Sequence, residues 1–307
     1  MLNSLSNNTI SQYNVALKQW FRFCQINRID LYNVSTPLIL KFLTEQFHRG
    51  ASYNTLNSYR SALTLILGKT CCSDENITRF LKGVFRIKPC FPKHNTIWDP
   101  NLVLNHLTTL FPNTSLRLDK ITKKLATLLA LSTGQRVQTL SLINEKDIAI
   151  NETHICIEIN NIIKTSAPNR KNPKLIIPFF REKEPICPAS TLCSYIEFTK
   201  QYRQLSDTEK LFLTTKKPYH NASSQSISRW IKEMLRESGV DVNIFTAHST
   251  RHASTSAASR SGVSIDVIKQ TAGWAGNSLC FAKFYNRPLI NDDTNFYFAE
   301  AIINNKN

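Results

Sequence analysis

The chain has 307 residues, enough for two domains with separate cores. Hydrophobic residues make up 42%, against only 8 Gly and 12 Pro, which excludes a linker-like or low-complexity chain and argues for ordered globular structure. A formal charge of +16 points to a polyanionic partner, nucleic acid first, although a basic balance alone also fits an ordinary soluble protein.

No apolar run approaches the roughly 20 residues that a bilayer-spanning helix needs, so no membrane association is expected. The first eight residues lack the basic-then-apolar order of a signal peptide, and an intracellular location is the expectation. Cys24, Cys71, Cys72, Cys90, Cys156, Cys187, Cys193 and Cys280 are scattered without a CxxC pair. Cys187 and Cys193 have no metal-ligand spacing to nearby histidines, so reduced thiols and no metal are expected.

The first ninety residues read as all-helical. Ile10, Tyr13, Leu17, Trp20, Phe21 and Cys24 recur at helical spacing and mark one apolar face. Thr36-Pro37 opens a second helix, with Leu40, Leu43 and Phe47 facing inward and Gly50 as its stop. A third is expected from Tyr53 to Gly68, and a fourth from Asn76 to Ile87 through Ile77, Phe80, Leu81, Val84 and Phe85. Arg22, Arg28, Lys41, Arg49, Arg60, Arg79, Lys82, Arg86 and Lys88 decorate these helices; they suit a duplex backbone, or a solvated surface. The stretch from Lys88 has two prolines and no periodicity and reads as a linker. The expected division is therefore a helical domain over 1–88, a linker over 89–98, and a second domain over 99–307.

Asp99-Pro100 starts that second domain with a cap-and-proline pair. An apolar-faced helix over Ile121–Leu131 ends at Thr133-Gly134, and Gln135-Arg136-Val-Gln-Thr-Leu begins the next, which holds Arg136 at the junction. A cation at that junction, between apolar segments, needs a partner: a core salt bridge or a phosphate. His154–Ile159 alternates as a strand and Lys174–Phe180 reads as another. The basic hairpin between them carries Lys164, as a specific actor or as none. Helices are expected from Pro188 to about Leu205, over Ser223–Ser238, over 246–260 with its end near Gly262, over Ser264–Ala272, over Leu279–Asn286 and over Phe296–Ile303, with a short strand at Leu211–Leu213.

His248 and Arg251 stand at i and i+3, on one face of the expected helix, with Thr246 as its expected N-cap. A guanidinium, an imidazole and a helix N-terminus aimed together make a receptor for a phosphate. Tyr285, arriving late in the chain, is the group that would attack it. His252, four residues after His248, shares that role or packs; Tyr219 and Tyr297 are rival phenols.

Arg136, Lys164 in a hairpin, His248-x-x-Arg251, Gly273-Trp274 and Tyr285, in this order and behind a helical domain, resemble the tyrosine recombinases of the phage-integrase superfamily. Ala130-Leu-Ser-Thr-Gly-Gln-Arg-Val-Gln-Thr-Leu, His248-Ser-Thr-Arg and Ala272-Gly-Trp with Phe281-Ala-Lys-Phe-Tyr look most like recombinases of DIRS- and Ngaro-type eukaryotic retroelements, with Crypton-like elements as near neighbours. The resemblance implies a mainly α chain with a small β component: a helical SAM-like core-binding domain before an α+β catalytic domain with a C-terminal tail helix. It implies a site-specific recombinase that integrates a mobile element through a 3′-phosphotyrosyl link on Tyr285. Arg136 and Arg251 would hold the non-bridging oxygens, His248 would handle the proton, Lys164 would protonate the leaving 5′-oxygen, and Trp274 would stand where many members have a second histidine.

The implied partners are double-stranded DNA and three further copies of the chain on paired sites; no cofactor, metal or ATP is implied. Retroelement kinship implies a nuclear location. A tail resting on Phe296, Phe298, Ile302 and Ile303 would dock on a neighbouring protomer. Thr139 stands where many members carry an acid, which leaves the support of Arg136 unexplained. Two other readings share the residues: a domesticated copy that only binds DNA, and a relaxing enzyme like type IB topoisomerases.

Overall fold

The computed structural model describes residues 4–90, 95–204, 208–274, 278–279, 281, 285–289 and 303, apart from the side chains of 70 and 71. The chain divides into two compact units, Met1–Pro92 and Lys93–Asn307.

The first unit consists of α1 (Asn7–Asn27), α2 (Thr36–His48), α3 (Tyr53–Cys72) and α4 (Glu75–Ile87). Side-chain caps open three of them: Ser6 accepts from Thr9 N–H, Ser52 from Thr55 N–H, and Asp74 from Asn76 N–H. Trp20, Phe23 and Phe42 interlock at the centre, with Phe42 edge-on to Trp20 at 5.2 Å between centroids. Phe21, expected on the inner face of α1, is 51% exposed; Ala16, Trp20, Phe23 and Cys24 form that face instead. At Gly68 the backbone takes a positive φ of 82° and kinks α3, but the helix resumes as far as Cys72. Of the nine basic residues above, Arg60 is half-buried and the others are exposed.

In the second unit α6 (Leu118–Thr133), almost wholly buried, is the axis, following α5 (Pro100–Thr108). Against it pack α8 (Pro188–Gln204), α9 (Ser224–Glu237) and α10 (Ser249–Arg260). After the short α7 (Val137–Ser141) the chain enters an antiparallel sheet in the order β1 (Ile148–Ile150), β2 (His154–Glu158), β3 (Lys174–Pro178). Ile155 pairs with Ile177 and Ile157 with Leu175, so the alternating apolar positions of β3 face the core. β1, three residues long and largely exposed, has too little pattern to be read from sequence. α11 (Ile265–Ala272) closes the order.

Other expectations need correction. Leu211–Leu213 is not a regular strand: only isolated bridges, Lys210 to Asn144 and Leu213 to Asn221, flank it, and its apolar side chains fill the core. Ile97 and Trp98, in the stretch read as linker, are buried in the second unit, where Ile97 N–H donates to Pro288 O at 2.9 Å. Of the expected helix over Leu279–Asn286, Leu279, Phe281, Tyr285 and Asn286 are described; Asn286 N–H reaches back five residues, to Phe281 O at 3.0 Å, the spacing of a π-helical rather than an α-helical turn. Phe296, Tyr297, Phe298 and Ile302 lie outside the described residues, as do Leu205 and Cys280; Ile303 is described and exposed. Among the described residues no helix is long and apolar enough to cross a membrane.

Candidate active site

The site is built around the first turn of α10. That helix starts at Ser249, not Thr246: the Thr246 carbonyl, rather than its hydroxyl, is engaged, accepting from Ser249 N–H at 2.8 Å and Ser249 Oγ–H at 2.7 Å. Trp98 Nε1–H donates to the same Ser249 oxygen at 2.8 Å, tying the turn into the core. His248 therefore occupies the N-cap position, and Arg251 lies one turn on, its N–H donating to His248 O.

Arg251 is 1% exposed. Its Nη1 donates to Gly134 O and to Ala272 O, each at 2.6 Å. These carbonyls lie at the C-terminal ends of α6 and α11, where helix dipoles favour a cation. The guanidinium lies 3.8 Å above the Trp274 ring, in cation–π contact. Two left-handed glycines allow this close approach. Gly134 has φ 58°, and a Cβ there would stand 3.3 Å from Thr255 Cγ2; Gly273 has φ 72°, with Gln135 packed over it. Gln135 Nε2 donates to Thr271 O at 2.6 Å, fastening α6 to α11 across the same junction.

Tyr285 completes the cluster. Its Oη lies 3.0 Å from His248 Nε2. Its ring stacks on His252, with centroids 4.0 Å apart and planes 10° apart, and meets Trp274 nearly edge-on at 4.7 Å. The backbone just after the tyrosine ring is held by Ser256, fully buried on α10: Ser256 Oγ–H donates to Tyr285 O, and Arg287 N–H donates to Ser256 Oγ at 3.1 Å.

His248 is held down to about 4, first by the protein packed around its ring and then by the positive charges of Arg251, Arg136, Lys164 and Arg287. The residue as a whole is exposed, so water moderates both causes. At neutral pH the imidazole is uncharged and its Nε2 can accept the phenol proton.

Thus His248, Arg251 and Trp274 gather around Tyr285, Arg251 through the Trp274 ring, whereas Arg136 and Lys164 make no hydrogen bond or ring contact with them and are near enough for their charge to act on His248. Arg136 caps α7 from a half-buried position, and among the described residues no ion pair or hydrogen bond meets its side chain. Thr139, where an acid was looked for, is buried. Lys164 is exposed at the corner of a turn. The rival Tyr219 packs elsewhere, 4.4 Å from the Tyr202 ring; Tyr297 is outside the described residues. Arg287 went unremarked from sequence: it belongs to no periodic face, and its one signal is standing two residues after Tyr285. Ser256 left no signal at all.

A cleft of about 570 Å³ bordered by Arg170, Lys171, Lys174 and Gln270 opens beside Trp274. A phosphodiester in this cleft would meet the cations of Arg170, Lys171 and Lys174; Trp274 is the member of the tyrosine cluster that lines it, and His248, Arg251 and Tyr285 do not.

The model described as "Phage integrase family" matches residues 102–289, and that described as "Phage integrase, N-terminal SAM-like domain" matches residues 2–66. No curated protein matches the sequence. Among solved structures, the chain is similar to XerH site-specific recombinase bound to palindromic difH substrate in a post-cleavage complex, at 15% identity and TM-score 0.62, covering 96% of this chain and 79% of that one. The Tn1549 transposon integrase in complex with transposon right end DNA follows at 14% identity and TM-score 0.57, with 98% and 95% covered. A lambda integrase dimer bound to a COC′ core site is 18% identical at TM-score 0.54, with 94% and 91% covered. At these identities the likeness is one of fold.

Proposed function

The chain belongs to the phage integrase (tyrosine recombinase) family, and on that premise we propose that it breaks and rejoins double-stranded DNA through a covalent link to Tyr285. The observation that carries this reading is the 3.0 Å contact between the Tyr285 hydroxyl and His248 Nε2, beside the Arg251 guanidinium.

In the proposed reaction the Tyr285 oxygen attacks the scissile phosphorus and a phosphorus–oxygen bond to tyrosine forms. The bond to the 5′-oxygen of the next nucleotide breaks, leaving a 3′-phosphotyrosyl ester and a 5′-hydroxyl. The phenol proton passes to neutral His248, and the Lys164 ammonium gives its proton to the departing 5′-oxygen. Arg136 and Arg251 hold the non-bridging oxygens, where negative charge accumulates in the transition state. Trp274 holds the Arg251 plane and the Tyr285 ring, and takes no proton. The ester conserves a phosphodiester's worth of bonding, so attack by a 5′-hydroxyl reseals the strand without a nucleoside triphosphate.

Strand exchange between two sites needs four such centres. Support for a homo-tetramer on paired duplexes comes from the similar lambda integrase, solved as a tetramer bound to a Holliday junction. The transposon integrase among the similar folds supports a role in inserting a mobile element. The DIRS- and Ngaro-like phrasing of the site supports a eukaryotic retroelement as that element, and with it a nuclear location.

The test is a pool of nicked duplexes of random sequence, in which the released end diffuses away and cleavage is trapped. Wild-type protein is expected to give a denaturant-stable protein–DNA adduct, in EDTA as without it, and Tyr285→Phe none. Binding without an adduct, falling with salt by roughly 0.9 log units per phosphate contacted and per log of salt, would reduce the protein to a DNA-binding one.

A further inference from the structure

Fifteen residues, 159–173, join β2 to β3 without regular structure. A connection of this length is either disordered or held for a purpose, because fixing each residue costs about 1–2 kcal/mol of backbone entropy. This one is held. Asn172 Nδ2 donates to Ile159 O at 2.8 Å and to Asn161 O at 2.9 Å, and its Oδ1 accepts from Ser166 Oγ–H at 2.6 Å. Ser166 Oγ in turn accepts from Ile163 N–H, and Ser166 N–H donates to Ile163 O, both at 2.9 Å. Ile163 is buried in the main core, while its neighbours Ile162 and Lys164 are exposed. Lys164 and Thr165 are thus the two corner residues of a turn whose ends are bonded to each other in both directions and then to the base of the loop.

We infer that the Asn172–Ser166 pair is a clasp that sets where the Lys164 ammonium can reach, making both residues positioning residues for the proton delivered to the leaving oxygen. The inference rests on the reading of Lys164 as that proton donor. Both amide hydrogens of Asn172 face carbonyls and its oxygen faces a hydroxyl, so the group is fully engaged and its orientation fixed. Aspartate there would set a carboxylate oxygen against two carbonyls. An unclasped turn still bears a lysine, but one whose reach is spread over many positions, and misplacement by about 1 Å costs on the order of 10²-fold in rate.

The clasp could instead serve only to keep the hairpin folded, and the chemistry of the leaving group separates the two roles. Two random-sequence nicked duplex pools are prepared, one with ordinary oxygen at the scissile 5′ position and one with sulfur there; a thiolate leaves without needing a proton. Asn172→Ala is expected to slow adduct formation about 10- to 100-fold on the oxygen pool, and to match wild type within about threefold on the sulfur pool. Asn172→Asp should be slower still on oxygen and be rescued likewise. Ser166→Ala, which removes one hydroxyl and keeps the two amide–carbonyl bonds, should show the same pattern at smaller size, and decides the matter if the Asn172 variants do not fold.

Equal slowing on both pools, or no slowing on oxygen, overturns the clasp. Lys164→Ala is the reference: if sulfur fails to rescue it, Lys164 is not the donor and both ideas fall together. If wild-type protein gives no adduct on either pool, the recombinase reading itself fails.

Discussion

The two arginines proposed to hold the scissile phosphate live in opposite settings. Arg251 is buried, bonded to two helix-end carbonyls and stacked on Trp274. Arg136 is half-buried, without an ion pair or hydrogen bond among the described residues. The contrast teaches that a site for an anion need not bind it with equivalent groups. On the proposed reading, one guanidinium would be scaffold as well as ligand, built into the junction of α6, α10 and α11; the other would keep its hydrogen-bonding capacity for what arrives.

Lysine substitutions expose that difference most strongly. Arg251→Lys and Arg136→Lys should each cut adduct formation on the order of 10²–10³-fold, the usual loss for one donor to a charged transition state. Thermal unfolding should separate them. Arg251→Lys should lower the midpoint, because a cation–π contact worth about 2 kcal/mol when desolvated is weakened and two carbonyls lose the Nη1 donor they share. Arg136→Lys should leave stability within about 0.5 kcal/mol. Equal thermal effects would dissolve the contrast.

Trp274 carries the next effect. Trp274→Ala should cost about 3–5 kcal/mol of stability, measured by denaturant unfolding, since it opens a cavity beneath both Arg251 and Tyr285. Gly134→Ala should cost about 1–3 kcal/mol by the same measurement, because an alanine must adopt φ 58°. If Gly134→Ala is silent, the left-handed turn that presents a carbonyl to Arg251 is not under constraint.

The smallest effect is a titration. The native His248 value of about 4 lies below the ordinary 6.5, so between those values the unfolded chain binds more protons. The stability tied to the neutral imidazole is therefore complete above about 6.5 and is lost as pH falls towards 4. Removing a cation should raise the value: an NMR titration of the His248 ring should shift upward in Arg136→Ala and in Lys164→Ala. No shift in either variant would remove these residues from the site.

Much of this was legible in the residues themselves. Pro37 and Pro100, the capping residues Ser223 and Ser264, and the glycines at 50, 134, 239 and 273 place helix ends because each acts locally, through a fixed φ, a side-chain acceptor or a left-handed turn. What failed depended on partners distant in sequence. Phe21 and Phe23 have equal claims on a periodic face until α2 supplies Phe42 as a neighbour. Thr246 looks like a cap until Trp98, 151 residues from Ser249, fixes the turn so that the cap falls two residues further on, at His248. Arg287, Ser256 and Asn172 are ordinary polar residues whose meaning comes from what lies within hydrogen-bond reach of them.

Digesting the trapped adduct and sequencing the peptide that carries a nucleotide is the most direct test of the central claim. The predicted result is a single modified peptide with the nucleotide's 3′-phosphate on Tyr285. A nucleotide on Tyr219, on Tyr297 or on any side chain other than Tyr285 would contradict it.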